Sequence, residues 1–155
     1  MLNHDNLVVD AQHARQVAEC IANKLDDGFV ICISETTHHR PESIRAALRQ
    51  IRPEAAVTII ADRDFARWVH SRCRVLIANI HALGIIDLGK RRISAVCIAT
   101  RPVMADDQPE TMFRLLAPAQ DGAAPELVSP YPGYVQYVRS RIENYKRLQN
   151  LYRAV

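Results

Sequence analysis

Four short runs of apolar, largely β-branched residues punctuate the first hundred positions: FVICIS (29–34), VTIIA (57–61), RVLIAN (74–79) and ISAVCIAT (93–100). Each is continuously apolar rather than alternating, the pattern of a strand covered on both faces. Helical segments separate them. Residues 8–25 place Val9, Ala14, Val17, Ile21 and Leu25 at spacings of three to five, and Asp26, Asp27 and Gly28 end that pattern. PESIRAALRQI sets Pro41 in a first helical turn and Ile44, Leu48 and Ile51 along one face, while DFARWVHSR offers Phe65, Trp68 and Val69 for burial. Short strands alternating with helices require crossovers, so the expected fold is α/β: a three-layer parallel sheet of four to five strands flanked by helices.

Beyond residue 101 the character changes. Six of the eight prolines fall between 102 and 133, which predicts a long loop with one short helix around Glu110 to Leu116, part of the same domain as the 1–101 core. Residues 134–155 then read as a C-terminal amphipathic helix, with Tyr134, Val138, Ile142, Tyr145, Leu148 and Tyr152 recurring at three and four. Such a helix either docks on its own sheet or offers Tyr134, Tyr137, Tyr145 and Tyr152 to a partner.

A chain of 155 residues with 48% hydrophobic and 24% charged residues excludes a disordered or collagen-like polymer. No apolar run is long enough to span a membrane and the N-terminus lacks a signal-peptide pattern, so a cytoplasmic protein without a membrane partner is expected. Cys20, Cys32, Cys73 and Cys97 lack metal-site spacing and read as reduced core thiols. Among the basic residues 17 are Arg and 3 are Lys. Charge is unevenly placed: residues 1–35 carry two basic and six acidic side chains, and residues 36–101 carry twelve and five. Residues 102–127 carry one and five, and residues 128–155 five and one. Two positive regions, one central and one C-terminal, make an anion-attracting surface an expectation.

The motif search yields fragments. Gly84 to Lys90 matches G-x-x-x-x-G-K, but Arg91 replaces the Mg²⁺-ligating Ser or Thr and a strand follows where a helix should. Glu35, Asp62 and Asp64 fall after predicted strands, where carboxylates hold Mg²⁺ in phosphoryl-transfer sites, and the set resembles the Toprim domain of primases and topoisomerases. The segment between Glu35 and Asp62 is, however, one strand and helix short of that family's spacing, and Asp62 with Asp64 also suits a helix start. The pair His38 and His39 lacks further zinc ligands, and Cys73, between Arg72 and Arg74, lacks a partner base.

The segment from Phe29 to Arg101 resembles the second, C-terminal RecA-like lobe of superfamily 2 helicases. The likeness lies in FVICISETTHH, a strand ending in a loop with Ser34, Thr36 and Thr37; in RVLIAN followed by a loop with Gly84 and Asp87; and in ISAVCIATRP, ending at Pro102. Asn79 stands where that family has threonine, and the family's glutamine and paired arginines after Pro102 are replaced by Gln108 and Arg114 at another spacing. The resemblance therefore implies a degenerate lobe without its first lobe: a non-catalytic protein needing no cofactor, which binds nucleic acid or a nucleic-acid-processing complex. The residues it points to are Thr36, Thr37 and Asn79 at strand ends, with Arg40, Arg45, Arg91, Arg92 and Arg101. Two alternatives stand beside it, a Mg²⁺-dependent nuclease or phosphotransferase built on Glu35, Asp62 and Asp64, and a scaffold subunit or homo-oligomer using the Tyr-bearing helix.

Overall fold

The computed structural model describes residues 4–35, 40–60, 69, 72–84, 86, 88, 91–100, 108–117 and 124–153. The four apolar runs form strands β1 (Phe29–Ile33), β2 (Val57–Ile60), β3 (Val75–Ala78) and β4 (Ile93–Ile98). A fifth strand, β5 (Glu126–Val128), arises inside the stretch read as loop. All pair in parallel in the order β2-β3-β1-β4-β5.

Both faces of the central strands β3, β1 and β4 are buried, while the edge strands β2 and β5 are partly open to solvent. Val17, Ala18 and Ile21 of α1 (His4–Ala22) and Ile44 and Leu48 of α2 (Arg40–Ile51) pack with Val30, Cys32, Val75, Ile77 and Cys97. The alternate residues of the same strands, Phe29, Ile31, Ile33, Leu76, Val96 and Ile98, meet the opposite layer. That layer is built from α3 (Ile80–Leu83), α4 (Gln108–Leu115) and α5 (Pro132–Arg153), through Ile80, Met112, Val138 and Ile142. Period-two side chains on continuously apolar strands thus feed two cores, which gives the expected three-layer α/β architecture, consistent with a RecA-like three-layer fold.

The layers follow from crossover handedness. From β1 the chain moves one way along the sheet to β2, and its helix α2 lies on the first face. Every later step moves the other way, and the connections after β2 (Val69, Cys73), β3 (α3) and β4 (α4) all lie on the second face, as a constant hand demands.

Local departures from expectation have local causes. The first helix ends at Ala22, not at Leu25, which sits buried in a separate 3₁₀ turn, Leu25–Asp27. Gly28 then turns the chain into β1 at φ +150°, and a Cβ there would lie 2.9 Å from the Arg92 carbonyl oxygen. Ile51, expected on the buried face of α2, is exposed. The helix expected over DFARWVHSR, with Phe65 and Trp68, lies outside the described residues apart from the buried Val69 and the turn at Arg72.

Candidate functional site

In a parallel sheet ligands settle beyond the carboxyl ends of the strands, where neighbouring connections depart to opposite faces. Here β1 is that place on both sides, because its own connection goes to the first face while those of β3 and β4 go to the second. The backbone leaving β1 is fixed from both neighbours: Ser34 N donates to Ala78 O at 3.0 Å, and Glu35 N donates to Thr100 Oγ1 at 2.9 Å. The Ser34 hydroxyl is buried and donates to Glu35 O at 3.0 Å, which turns it inward rather than toward a ligand. Glu35 holds Arg40, the first residue of α2, at 3.4 Å. Asn79, expected as a phosphate contact, instead caps α3, its Oδ1 accepting from Ala82 N at 2.7 Å. Thr36, Thr37, Asp62, Asp64, Arg101 and the pair His38 and His39 lie outside the described residues. Among the described residues, no group of three His, Cys, Asp or Glu side chains is arranged to hold a metal ion.

Residues that sequence reasoning passed over adjoin this edge. Ser129, just past β5, donates to Ile98 O at 2.6 Å and accepts from Tyr131 N at 3.0 Å. The Tyr131 hydroxyl meets His13 Nδ1 at 2.5 Å, the two rings stack with centroids 5.6 Å apart, and Tyr134 lies 5.1 Å from Tyr131. Burial, and then Tyr134, push the Tyr131 phenol up, against a smaller downward pull from Arg40. The sequence signal was thin: a tyrosine between Pro130 and Pro132 and a histidine on an otherwise ordinary amphipathic helix.

The remaining arginines divide by position. Arg45 pairs along α2 with Glu42. Arg91 and Arg92 precede β4, so they stand at the amino edge, the end of the sheet opposite Glu35 and Asn79. There Arg91 donates to Cys73 O at 3.0 Å and Val69 O at 2.6 Å, with its guanidinium carbon 5.0 Å from the Phe29 ring centroid. Arg74 donates to Leu25 O at 2.5 Å, and Arg52 grips Asp26 at 2.9 Å and Glu54 at 2.5 Å. Three of the seventeen arginines thus tie loops at the amino edge, Arg52 and Arg91 by forked contacts to carboxylates or carbonyls that lysine cannot copy.

The other motif fragments resolve similarly. Gly84 ends α3, Gly89 and Lys90 lie outside the described residues, and residues 93–98 are a strand, so no phosphate loop leads into a helix. Cys73 is buried and donates to Val75 O at 3.1 Å. Cys32 and Cys97 face each other in register, and Cys20 reaches Cys97 from α1. The Cys97 hydrogen bond and burial push the Cys20 thiol up, which keeps it protonated and weakly nucleophilic.

Of the helix tyrosines, Tyr134 and Tyr137 pack partly buried against the second core, Tyr145 is half-buried against Phe113, and Tyr152 is exposed. No helix among the described residues is long and apolar enough to cross a membrane. No family model, curated protein or solved structure matches the chain, so the helicase-lobe likeness rests on its strand and loop residues alone.

Proposed function

We propose that the chain is a non-catalytic, helicase-lobe-like protein that binds the phosphate backbone of nucleic acid at the carboxyl edge of its sheet. The observation that carries this reading is the central position of β1, with divergent connections on both sides of its carboxyl end. Arg40 and the amino-terminal turn of the twelve-residue α2 face that crevice, a cation joined to the positive end of a helix dipole. The Arg40 pair with Glu35 is partly exposed, and such pairs contribute only ~0–1 kcal/mol, so a phosphate displaces that carboxylate at little cost. Thr36, Thr37 and Arg101 complete the set in the reading drawn from the resemblance. Arg91 and Arg92 do not belong to it, because they occupy the opposite edge.

Fluorescence anisotropy with labelled single- and double-stranded DNA and RNA tests the reading. Binding is expected at low salt, with log affinity falling linearly in log salt concentration. Arg40→Ala should weaken binding and lower the salt slope by about one phosphate contact, while Arg91→Ala leaves it unchanged in folded protein. Absence of affinity for all four probes at low salt overturns the proposal.

A further inference from the structure

Two helix ends leave a cavity over the start of β4. Helices α3 and α4 follow β3 and β4, so both run back along the second face from the carboxyl edge toward the amino edge. The ends they reach, Leu83 with Gly84 and Arg114 with Leu115, line this cavity together with Ile93, the first residue of β4. It measures about 260 Å³, and Leu83, Ile86, Leu88, Ile93 and Leu115 form its aliphatic wall. An apolar cavity of about 150 Å³ accepts benzene, so this larger one has room for roughly ten non-hydrogen atoms.

The polar groups of the lining select the occupant. Gly84 closes α3 at φ −70° and ψ −17°, right-handed values open to any residue, so its backbone does not call for glycine. What the glycine leaves is space, because a Cβ there would lie 3.3 Å from Thr111 Oγ1. The partly exposed Thr111 hydroxyl has no hydrogen-bond partner among the described residues, so it can donate to a ligand or accept from one. At the rim Arg114 pairs with Glu110 at 3.3 Å, which leaves that side of the entrance without net charge. A charged ligand would lose hydration against five aliphatic side chains with no unpaired counter-charge to meet it, whereas one neutral oxygen bonded to Thr111 enters at little cost. We infer that this cavity binds a small neutral alcohol of cyclic or branched hydrocarbon, its body against Leu83, Ile93 and Leu115 and its hydroxyl on Thr111. The site lies away from the carboxyl-edge crevice and does not depend on the reading given for that edge.

The probes are menthol, menthylamine and menthane carboxylate, which share one hydrocarbon skeleton and differ in head group, titrated calorimetrically into the full chain at neutral pH. Menthol should bind one to one with a dissociation constant of roughly 0.1–1 mM, the range for a ligand of this size. It should bind at least about tenfold more tightly than either charged analogue. Thr111→Val keeps the side chain's shape and removes its hydroxyl, so menthol affinity should fall about three- to tenfold, and Thr111→Ser should restore it. Gly84→Val puts a side chain into the space beside Thr111 and should abolish binding. Gly84 is exposed and Thr111 only partly buried, so circular dichroism and oligonucleotide binding should match the parent in all three variants. Absence of saturable menthol binding overturns the inference. Equal or tighter binding of either charged analogue overturns the ligand class and with it the inference. So does menthol affinity unchanged by both Thr111→Val and Gly84→Val, which places the ligand elsewhere on the chain.

Discussion

Replacing Arg91 by alanine separates structural arginines from ligand-binding ones. Its guanidinium donates two hydrogen bonds to backbone carbonyls, Cys73 O at 3.0 Å and Val69 O at 2.6 Å, and lies over Phe29. Charge-assisted hydrogen bonds contribute roughly 1.5–3 kcal/mol each, and a cation over an aromatic ring adds about 0.5–1. Because Arg91 is only half-buried, water replaces part of that loss, and the expected destabilisation is about 2–4 kcal/mol. With a urea dependence near 2 kcal/mol per molar, typical of a small domain, the unfolding midpoint should fall by about 1–2 M. Arg91→Lys should recover less than half of this, since an ammonium cannot span both carbonyls in the fork geometry. The assay is urea unfolding followed by far-ultraviolet circular dichroism, run beside oligonucleotide titration on the folded variant. A midpoint shift below about 0.3 M, or a full rescue by lysine, refutes the clamp. Reduced oligonucleotide affinity with unchanged stability refutes the assignment of Arg91 to the amino edge alone.

Gly28→Ala combines a left-handed backbone with a Cβ set 2.9 Å from the Arg92 carbonyl, and should cost about 2–3 kcal/mol, read as a fall of roughly 5–10 °C in thermal midpoint; an unchanged midpoint contradicts it. The Arg52 hydrogen bond holds the Glu54 carboxyl below its ordinary value, so the stabilisation it brings is complete above that value and is lost as pH falls through the lower folded value. The urea midpoints of the parent and Arg52→Gln should therefore converge on acidification below the ordinary glutamate range, and a gap independent of pH would remove the linkage.

Much of the architecture was legible because its signals are long or repeated. Continuous β-branched runs marked β1 to β4, and Val17 with Ile21, or Ile44 with Leu48, marked the buried stripes of α1 and α2. Two elements were not. Four residues of α3 span barely one turn, too short for a period, and its signature is a single Asn79 cap. Glu126-Leu127-Val128 is too short to stand out between Pro125 and Pro130, yet it completes the sheet beside β4. The site was legible in part. Glu35, a metal ligand in one reading, and Arg40, a phosphate contact in another, pair with each other after β1, which neither reading anticipated, while Arg91 and Arg92 were grouped with Arg40 by charge although their place before a parallel strand already assigned them to the other edge. Charge counts carry no direction along a sheet; strand polarity does. The His13 and Tyr131 pair, 118 residues apart, depends on a tertiary contact that no local pattern encodes.

The strand order has a consequence for how the chain is made. No two strands consecutive in sequence form a hairpin; the ladder with the closest strands, β2 with β3, joins Val57 to Val75. Strand β1, entirely apolar and central, waits for Val75 before its first edge is paired and for Ile93 before its second. Long-range parallel pairing of this sort slows folding and leaves unpaired edges open meanwhile. A nascent chain halted before residue 75 therefore presents FVICI with neither neighbour, and binding by a chaperone that recognises extended apolar segments is expected to peak at that length and to decline once β4 has emerged.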